Sequence, residues 1–276
     1  MKKEWIVTKM DHQSRIDDFA YKHHISKKAL KDIKMQGDIL VNGIHQTVRY
    51  CLNFGEIVTF IFPKEENKIA PENIPFTIVY EDDDLMVIDK QPHIACIPTR
   101  ARPCHTLANA ITYYYQTIGL SSTVHFVNRL DKETRGLMIV AKHRYIHDLM
   151  KYTHIRRIYR AHIEGNVKQG SIRLPIYKDG YAMKRVIDER GKPSCTHYRS
   201  LDDHGLVEFC LETGRTHQIR VHMSAIGHAL IGDSLYGDGT GEFDLESYKI
   251  TFIHPTTKQV IHIEKKSYKD KMKIKK

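Results

Sequence analysis

Two apolar runs near the middle of the chain enclose a segment that is dense in charge. The runs are VHFV at residues 124–127 and LMIVA at residues 137–141. Short apolar runs bounded by turn residues predict buried strands, and Gly136 marks the point where the backbone enters the second one. Charges in a connecting loop are most often simply solvated or paired. A loop this charged between two core strands is nevertheless the first candidate for a functional site.

Residues 1–62 have the pattern of a small domain of their own. Ser26 is a suitable N-cap for an amphipathic helix, and Gly37 is a suitable terminator. An Asn-Gly pair after an apolar run predicts a tight turn between strands. One predicted helix opens with residues 15–20, and a second covers residues 27–34. The predicted strands lie at 38–43 and 55–60.

A polar segment with three prolines, residues 63–75, predicts a linker. The remainder, residues 76–264, mixes strand and helix patterns and predicts a larger domain. Its predicted helices lie at 106–115 and 143–154 and between Thr216 and Gly227; its predicted strands lie at 77–80, 85–90, 156–165 and 205–213, with hairpin-forming strands between 172 and 199. Residues 265–276 are rich in lysine and predict a mobile basic tail.

The charge balance favours a polyanionic partner. The 276 residues include 43 Lys and Arg against 33 Asp and Glu, which gives a net charge of +10. RNA, DNA and an anionic membrane surface all satisfy this balance. No apolar run approaches the roughly 18 residues of a membrane span, and the first residues lack an apolar signal core. We therefore expect a cytoplasmic protein without a membrane partner.

Motifs for cofactors and metals are not evident in the sequence. The five cysteines form no Cys-x-x-Cys pair, so we expect reduced thiols and no zinc ribbon. His143 and His147 are four residues apart, but no third ligand and no intervening Glu accompany them. A P-loop and a nicotinamide fingerprint are also missing. The sequence thus predicts no cofactor and no metal, and chemistry by acid-base or nucleophilic side chains.

The charged loop resembles a known family motif. Residues 128–136 are NRLDKETRG, and the Rlu-type (ribosomal large subunit, RluA/RluD-type) pseudouridine synthases have HRLDxxTSG followed by an apolar strand. Asn128 and Arg135 are the two departures. The segments RIYRA at 157–161, TGRTHQIR at 213–220 and GDSLYG at 232–237 also resemble this family. At residues 90–93, KQPH keeps the Lys of the family segment KPxG and lacks its Gly.

The resemblance implies roles for five residues. Asp131 would be the catalytic carboxylate, and Tyr159 would stack on the target uracil and take part in proton transfer. Ile219 would pack near the base, and Arg220 would pair with Asp131 and keep it ionised. Arg129 would occupy the space that the target nucleotide leaves. Attack of Asp131 at C1′, attack at C6 and deprotonation of the sugar remain open.

The N-terminal part resembles the small RNA-binding domain named after a small-subunit ribosomal protein, over residues 14–60. Lys27, Lys28 and Lys31 on the predicted basic helix would then contact RNA, although a lysine-rich helix face is often only solvated.

The fold implied is α+β, with a mixed, mostly antiparallel sheet surrounded by helices. The implied activity is isomerisation of specific uridines to pseudouridine in structured RNA, most often large-subunit rRNA and otherwise tRNA, by a monomer without a cofactor. A non-catalytic RNA-binding or ribosome-assembly protein on the same scaffold is the alternative, and a DNA-binding protein is a weaker third.

Overall fold

The computed structural model describes residues 1–180 and 182–265. Its helices are α1 (Ile16–Lys22), α2 (Lys27–Gln36), α3 (Leu107–Thr117), α4 (Arg144–Met150) and α5 (Gln218–Ala225). Its strands are β1 (Lys2–Ile6), β2 (Asp38–Val41), β3 (Ile44–His45), β4 (Ile57–Ile61), β5 (Thr77–Glu81), β6 (Leu85–Lys90), β7 (His125–Phe126), β8 (Arg135–Ala141), β9 (Ile155–His162), β10 (Gln169–Ile172), β11 (Ile176–Tyr177), β12 (Val186–Ile187), β13 (Thr196–Ser200), β14 (Leu206–Leu211), β15 (Glu246–Ile253) and β16 (Val260–Glu264).

The N-terminal module, residues 1–62, consists of a four-stranded sheet in the order β1-β4-β2-β3 and the helices α1 and α2. The hydroxyl of Ser26 accepts a hydrogen bond from the Ala29 amide at 3.2 Å and caps α2 as expected. Leu30 and Ile33 face the core of the module. The helices and strands predicted here are confirmed. Strand β1 was missed, because its alternating charged residues resemble a solvated terminus.

The N-terminal module shares its core with the rest of the chain. Ala141 at the end of β8 and Ile146 in α4 belong to the same hydrophobic cluster as the module. Tyr145 packs against Trp5 with 6.3 Å between ring centroids and donates a hydrogen bond to the His23 carbonyl at 2.9 Å. The module is therefore packed firmly on the larger part through α4.

The segment 63–75 contains no helix or strand, as predicted, and it lies along α3. Asn67 donates a hydrogen bond to the Thr112 hydroxyl at 3.0 Å, and Asn109 donates one to the Ala70 carbonyl at 2.8 Å. The bond from Asn109 satisfies a backbone carbonyl that a free linker would expose to water. The connection between the two parts is consequently docked on the protein.

A ten-stranded sheet dominates the larger part. Its main order is β10-β13-β14-β9-β15-β8-β6-β5, with β16 beside β15 and β7 beside β8. Neighbouring strands are antiparallel except for β8 and β15, which run parallel. Met138 and Val140 face one hydrophobic cluster, whereas Leu137 and Ile139 face another. Burial on both faces explains the continuous apolar run of β8, and the predicted α+β class is confirmed.

Gly136 permits the close approach of β8 to β15. Its φ is +110°, and a Cβ atom there would lie 2.2 Å from the Ser247 carbonyl oxygen. Only glycine fits such a position without displacing the neighbouring backbone. Gly136 therefore fixes the point at which the charged loop joins the sheet.

Several boundaries differ from the prediction. The strand expected at 124–127 is only β7, and the helix expected at 143–154 is only Arg144–Met150. Lys265, predicted to begin a mobile tail, pairs with Asp89 and Glu246 at 2.7 Å each. That prediction is wrong for Lys265, because two carboxylates hold its amine beside the sheet; residues 266–276 lie outside the described residues. None of the helices in residues 1–180 and 182–265 could cross a membrane.

Candidate active site

An open cleft of about 660 Å³ lies over the charged loop. The loop 128–134, strand β9, the turn after β14 and the start of α5 all contribute to its wall. Among the described residues that line the cleft, Asp131 is the single acidic one. The cationic lining residues are Arg129, Lys132, Arg157, Arg215 and Arg220. The cleft therefore presents one carboxylate within a strongly basic surface, which suits a polyanionic ligand.

Four of the residues expected to act at the target base line this cleft together with Asp131. They are Arg129, Tyr159, Ile219 and Arg220. Lys27, Lys28 and Lys31 are not among the lining residues; they are exposed on α2 of the N-terminal module. The fold thus brings the loop, β9 and α5, which are far apart in sequence, to one cleft.

Lys90 at the end of β6 holds the loop 128–134 from beneath. Its side chain is 1% exposed, and its amine donates to the carbonyls of Gln91 at 2.9 Å, Lys132 at 2.9 Å and Thr134 at 2.7 Å. An ammonium group has three N–H donors, so all of them are used. Burial lowers the pKa of Lys90 to about 8, although nearby anionic groups including Glu133 and Asp131 act in the opposite direction.

The two departures from the family motif have structural explanations. The Asn128 side-chain oxygen accepts a hydrogen bond from the Ile139 amide at 2.9 Å, which ties the loop to β8. Arg135 lies outside the cleft lining, and its Nε is 3.7 Å from Glu246 on β15. Its bulk is thus directed to the sheet, and it leaves the cleft open.

His93 occupies the position where the family segment has Gly. Its φ of +65° is in the left-handed region that glycine adopts without strain. The His93 ring contacts the carboxylate of Glu133 in the loop 128–134. This contact across the loop offers a reason why a non-glycine residue is held in a strained conformation here.

Asp131 faces a histidine that the sequence analysis did not select. His217 Nε2 lies 3.9 Å from Asp131 Oδ1. His217 precedes α5 and has a left-handed backbone with φ of +58°. Its Nδ1 is 2.9 Å from the Tyr236 hydroxyl. The strained backbone of His217 is therefore accompanied by contacts on both ring nitrogens.

The Tyr236 oxygen accepts a hydrogen bond from the Arg185 amide at 2.6 Å and lies 2.9 Å from His217 Nδ1. In the tautomer that places the ring proton on Nε2, His217 Nδ1 accepts the Tyr236 hydroxyl proton and the Nε2 proton faces Asp131. Burial lowers the pKa of His217, while Asp131 acts in the opposite direction. A neutral imidazole with an Nε2 proton is accordingly suited to donate to the carboxylate.

Arg220 does not make the direct ion pair that was expected. Within the described structure its guanidinium binds Asp233 through two bonds of 2.7 and 2.6 Å. Both side chains are buried, and such a fork-to-carboxylate pair fixes the guanidinium firmly. Asp131 acts on Arg220 only at longer range, as one of the charges that raise the Arg220 pKa against the effect of burial. The expected pairing of Arg220 with Asp131 is wrong, because Asp233 occupies the guanidinium.

Tyr159 and Ile219 supply the apolar wall of the cleft. Both side chains are buried in the main hydrophobic cluster. Burial raises the pKa of Tyr159, so the phenol keeps its proton at neutral pH. Cys96 also lines the cleft, but burial raises the pKa of its thiol and its sulfur donates to the Leu130 carbonyl at 3.2 Å. Cys96 is thus a poor nucleophile.

Sequence reasoning missed Arg157, Arg215 and His217 as lining residues. Arg157 could have been found, since it precedes Tyr159 by two residues on the same strand and therefore shares its face. Arg215 and His217 lie within the segment already singled out, where only the last two residues were assigned roles. Their participation depends on the turn after β14, which the sequence pattern does not define.

The chain belongs to the RNA pseudouridylate synthase family, whose sequence model matches residues 84–225. It is an isomerase that acts on RNA. It is 41% identical over 261 residues to the RNA pseudouridine synthase YjbO of Bacillus subtilis, covering 88% of this chain and 92% of the relative. It is 38% identical over 226 residues to ribosomal large subunit pseudouridine synthase D of Yersinia pestis, covering 77% of this chain and 69% of the relative.

Solved structures agree on the fold. Human RNA pseudouridylate synthase domain containing 1 matches with a TM-score of 0.57 and 24% identity, over 71% of this chain and 85% of that one. Human RNA pseudouridylate synthase domain containing 4 matches with a TM-score of 0.55 and 20% identity, over 69% and 88%. The family resemblance stated from the sequence is confirmed.

Proposed function

We propose that this protein isomerises specific uridines of large-subunit rRNA to pseudouridine, with Asp131 as the catalytic carboxylate. The observation that carries the proposal is the position of Asp131 as the single acid in a cleft lined by five cationic residues. A basic surface attracts the phosphates around a target nucleotide, and one carboxylate is left to act on it. The substrate assignment rests on the relative of Yersinia pestis, which is named for the large ribosomal subunit.

The reaction exchanges one bond of the nucleotide for another. The bond from N1 to C1′ breaks, the uracil turns in the cleft, and a bond from C5 to C1′ forms; the C5 proton leaves and N1 gains a proton. Asp131 begins this sequence by attack at C1′, by attack at C6 or by removal of a sugar proton. The neutral phenol of Tyr159 lies against the base and serves in proton transfer, and Ile219 packs against the base.

The target must leave its stack before it can reach Asp131. Unstacking and unpairing a nucleotide cost a few kcal/mol, which phosphate contacts must offset. Arg129 is exposed at the rim of the cleft, and Arg157 and Arg215 lie deeper on the same surface. Arg129 fills the space that the nucleotide leaves, while the other two arginines bind the flanking phosphates.

We assign His217 as a positioning residue for Asp131. Its Nε2 proton faces the carboxylate at 3.9 Å, a distance that binding of a substrate can shorten to a hydrogen bond. The Tyr236 hydroxyl contacts the other ring nitrogen, and Arg220 and Asp233 form a buried ion pair. The charge of Arg220 thus acts on Asp131 at longer range, and the two side chains do not form a direct ion pair.

The N-terminal module contributes RNA affinity in this proposal. Lys27, Lys28 and Lys31 are exposed on α2, and their charges are free to meet phosphate. The enzyme acts as a monomer in the cytoplasm, where ribosomal RNA is accessible. Sedimentation of the purified protein tests the monomer, and co-fractionation with ribosomal precursors tests the compartment.

The decisive test replaces Asp131 by Asn, which removes the charge and preserves the shape. We expect pseudouridine formation on a transcript of large-subunit rRNA to be lost, while RNA affinity stays within a few-fold. Asp83→Asn, in an exposed turn, is the matched control and should leave both unchanged. If Asp131→Asn keeps its turnover, the proposal is refuted and a non-catalytic RNA-binding or assembly protein is favoured. Stronger binding of duplex DNA than of structured RNA in competition would favour the DNA-binding alternative.

The role of His217 is tested by His217→Gln and His217→Ala. Gln places an N–H at similar reach, so it should retain more of the kcat than Ala does, with KM little changed in both. The dependence of kcat on pH that comes from the imidazole should vanish in both variants. Equal kcat in Gln and Ala variants, with the pH profile of the wild type, would show that His217 acts only in packing.

A further inference from the structure

A second group of reactive side chains lies on β13 and β14 and on the residues next to one end of this strand pair. Cys195 and His197 are two residues apart, so their side chains share one face. His197 lies directly opposite Cys210 in the strand register, and Glu212 follows Cys210 by two residues. Directly opposed residues of an antiparallel pair point to the same side of the sheet. Four potential metal ligands are therefore gathered on one face of this ribbon.

Three of the four already have the spacing of a metal site. The donor atoms of Cys195, His197 and Glu212 all lie within 4.8 Å of one another. Cys195 Sγ is 3.6 Å from His197 Nε2, and His197 Nε2 is 2.6 Å from Glu212 Oε1. Tetrahedral zinc, with bonds of about 2.3 Å to sulfur and about 2.0 Å to nitrogen, separates these two ligand atoms by about 3.5 Å. The sulfur–nitrogen distance thus fits zinc, and the carboxylate would have to retreat by less than about 1 Å.

His197 is oriented from behind as metal-bound histidines are. Its Nδ1 is 2.6 Å from the hydroxyl of Ser171 on β10. A hydrogen bond at one ring nitrogen fixes the ring and directs the other nitrogen to the metal. Here that other nitrogen points to Cys195 and Glu212. The arrangement is held by three strands of the main sheet, which makes it rigid.

We propose that Cys195, His197 and Glu212 bind a zinc ion, with Cys210 or water as the fourth ligand. Cysteine, imidazole and carboxylate together are a donor set that zinc accepts readily. The ion is structural, since the group lies outside the residues that line the catalytic cleft. Nothing in the proposed uridine chemistry requires it.

Binding exchanges protons for the ion. Zinc binds the thiolate form of cysteine, so the thiol of Cys195 releases its proton to the solvent when the ion binds. Glu212 is at present held by His197 and by Arg173, whose Nη2 is 3.2 Å away. Both contacts involve exposed or half-exposed groups, and zinc replaces them at little cost.

The ion would stabilise the turn between β14 and α5. The Cys195 amide donates to the Thr213 hydroxyl at 3.1 Å, and Gln218 donates to the Cys195 carbonyl at 2.9 Å. Thr213 also donates to Gln218 at 2.8 Å. Fixing Cys195 and Glu212 therefore fixes both ends of the segment that carries His217, without entering the cleft.

The test uses the full chain, freed of metal by a chelator and titrated with zinc sulfate alone. We expect one zinc per chain, proton release on binding, and a melting temperature that rises with zinc. Cys195→Ser and His197→Gln should each weaken binding at least about tenfold, because even the loss of a group that only orients a ligand costs about 10- to 100-fold. Cys51→Ser changes an exposed thiol outside the group and is the matched control. Cobalt should give a thiolate charge-transfer band in the wild type and not in Cys195→Ser.

The proposal is overturned if zinc binds equally well to the wild type, to Cys195→Ser and to His197→Gln. It is also overturned if the wild type binds no zinc at micromolar concentrations. His197→Gln keeps the test valid if Cys195→Ser misfolds, because His197 is half exposed whereas Cys195 is buried. Circular dichroism of each variant confirms folding before titration.

Discussion

Replacement of Lys90 by Met should impair catalysis much more than stability. The buried amine of Lys90 donates hydrogen bonds to three carbonyls at the loop 128–134. Two of these carbonyls belong to Lys132 and Thr134, which follow Asp131 in the chain. Methionine has a similar length and no donor. The variant therefore keeps the packing beneath the loop and removes the bonds that hold the loop in place.

Two opposing terms determine the change in stability. The fall of the Lys90 pKa from 10.5 to about 8 means that holding the charged amine at neutral pH costs about 3 kcal/mol, at about 1.4 kcal/mol per pH unit. Loss of three donors costs about 1 to 3 kcal/mol for the buried Thr134 carbonyl and about 1 kcal/mol for each of the other two, which can reach water. The free energy of unfolding should therefore change by about 2 kcal/mol or less.

For the catalytic rate, no favourable term offsets the loss of the three hydrogen bonds. A displacement of about 1 Å in a catalytic group can reduce the rate about 100-fold, which is about 2.7 kcal/mol in the barrier. We expect kcat for pseudouridine formation to fall by about that factor in Lys90→Met, with RNA affinity little changed. Urea denaturation measures the stability, and a timed assay on an rRNA transcript measures kcat.

Lys142→Met is the matched control. Lys142 is also buried, and its amine donates to the Asp82 carbonyl at 2.5 Å and pairs with Glu81 at 2.7 Å, away from the cleft lining. It should lose stability and keep kcat. If Lys90→Met keeps the kcat of the wild type, or if Lys142→Met loses kcat equally, Lys90 does not position the loop.

Three further predictions concern charge. Asp233→Asn should lower the free energy of unfolding by about 3 to 5 kcal/mol, because it leaves the buried Arg220 unpaired; urea denaturation that shows a loss below about 1 kcal/mol would contradict this. For Glu65, burial raises the pKa, but hydrogen bonds from His125 and the Arg144 amide outweigh it and lower the pKa to about 2. Its stabilisation is therefore complete above pH 4.5 and is lost as the pH falls towards 2. The stability difference between the wild type and Glu65→Gln, about 3 kcal/mol at neutral pH, should shrink over that range, and a difference independent of pH would refute the assignment. Neutralising three exposed lysines of α2 should reduce the slope of log affinity against log salt by about 2 to 3 on structured RNA, and an unchanged slope would show that α2 does not meet the RNA. These lysines are Lys27, Lys28 and Lys31.

Much of the fold was predictable because strong local patterns agree with the final packing. The apolar run of β8, the Ser26 cap and the Thr106 cap, which accepts from the Asn109 amide, all follow from neighbouring residues alone. Strand β1 is different. Lys2, Lys3 and Glu4 lie on a sheet edge, and only pairing with β4 makes them a strand.

The sequence motifs predicted several residues that line the cleft, but not the contacts that these residues make. A motif fixes which residues a loop carries, whereas the partner of a long side chain depends on elements far apart in sequence. Arg220 lies 13 residues before Asp233, and the turn between them decides that these two groups meet. The position of His217 opposite Asp131 likewise depends on a left-handed residue, which no periodicity indicates.

The most direct measurement is a map of pseudouridine in total rRNA and tRNA from cells that lack the gene. The cells are complemented with the wild type or with Asp131→Asn. We expect one or a few sites in large-subunit rRNA to be lost, to return with the wild type and to stay absent with Asp131→Asn. A map that is unchanged by loss of the gene, or that Asp131→Asn restores fully, would contradict the assignment of Asp131 as the catalytic carboxylate of an rRNA-modifying enzyme.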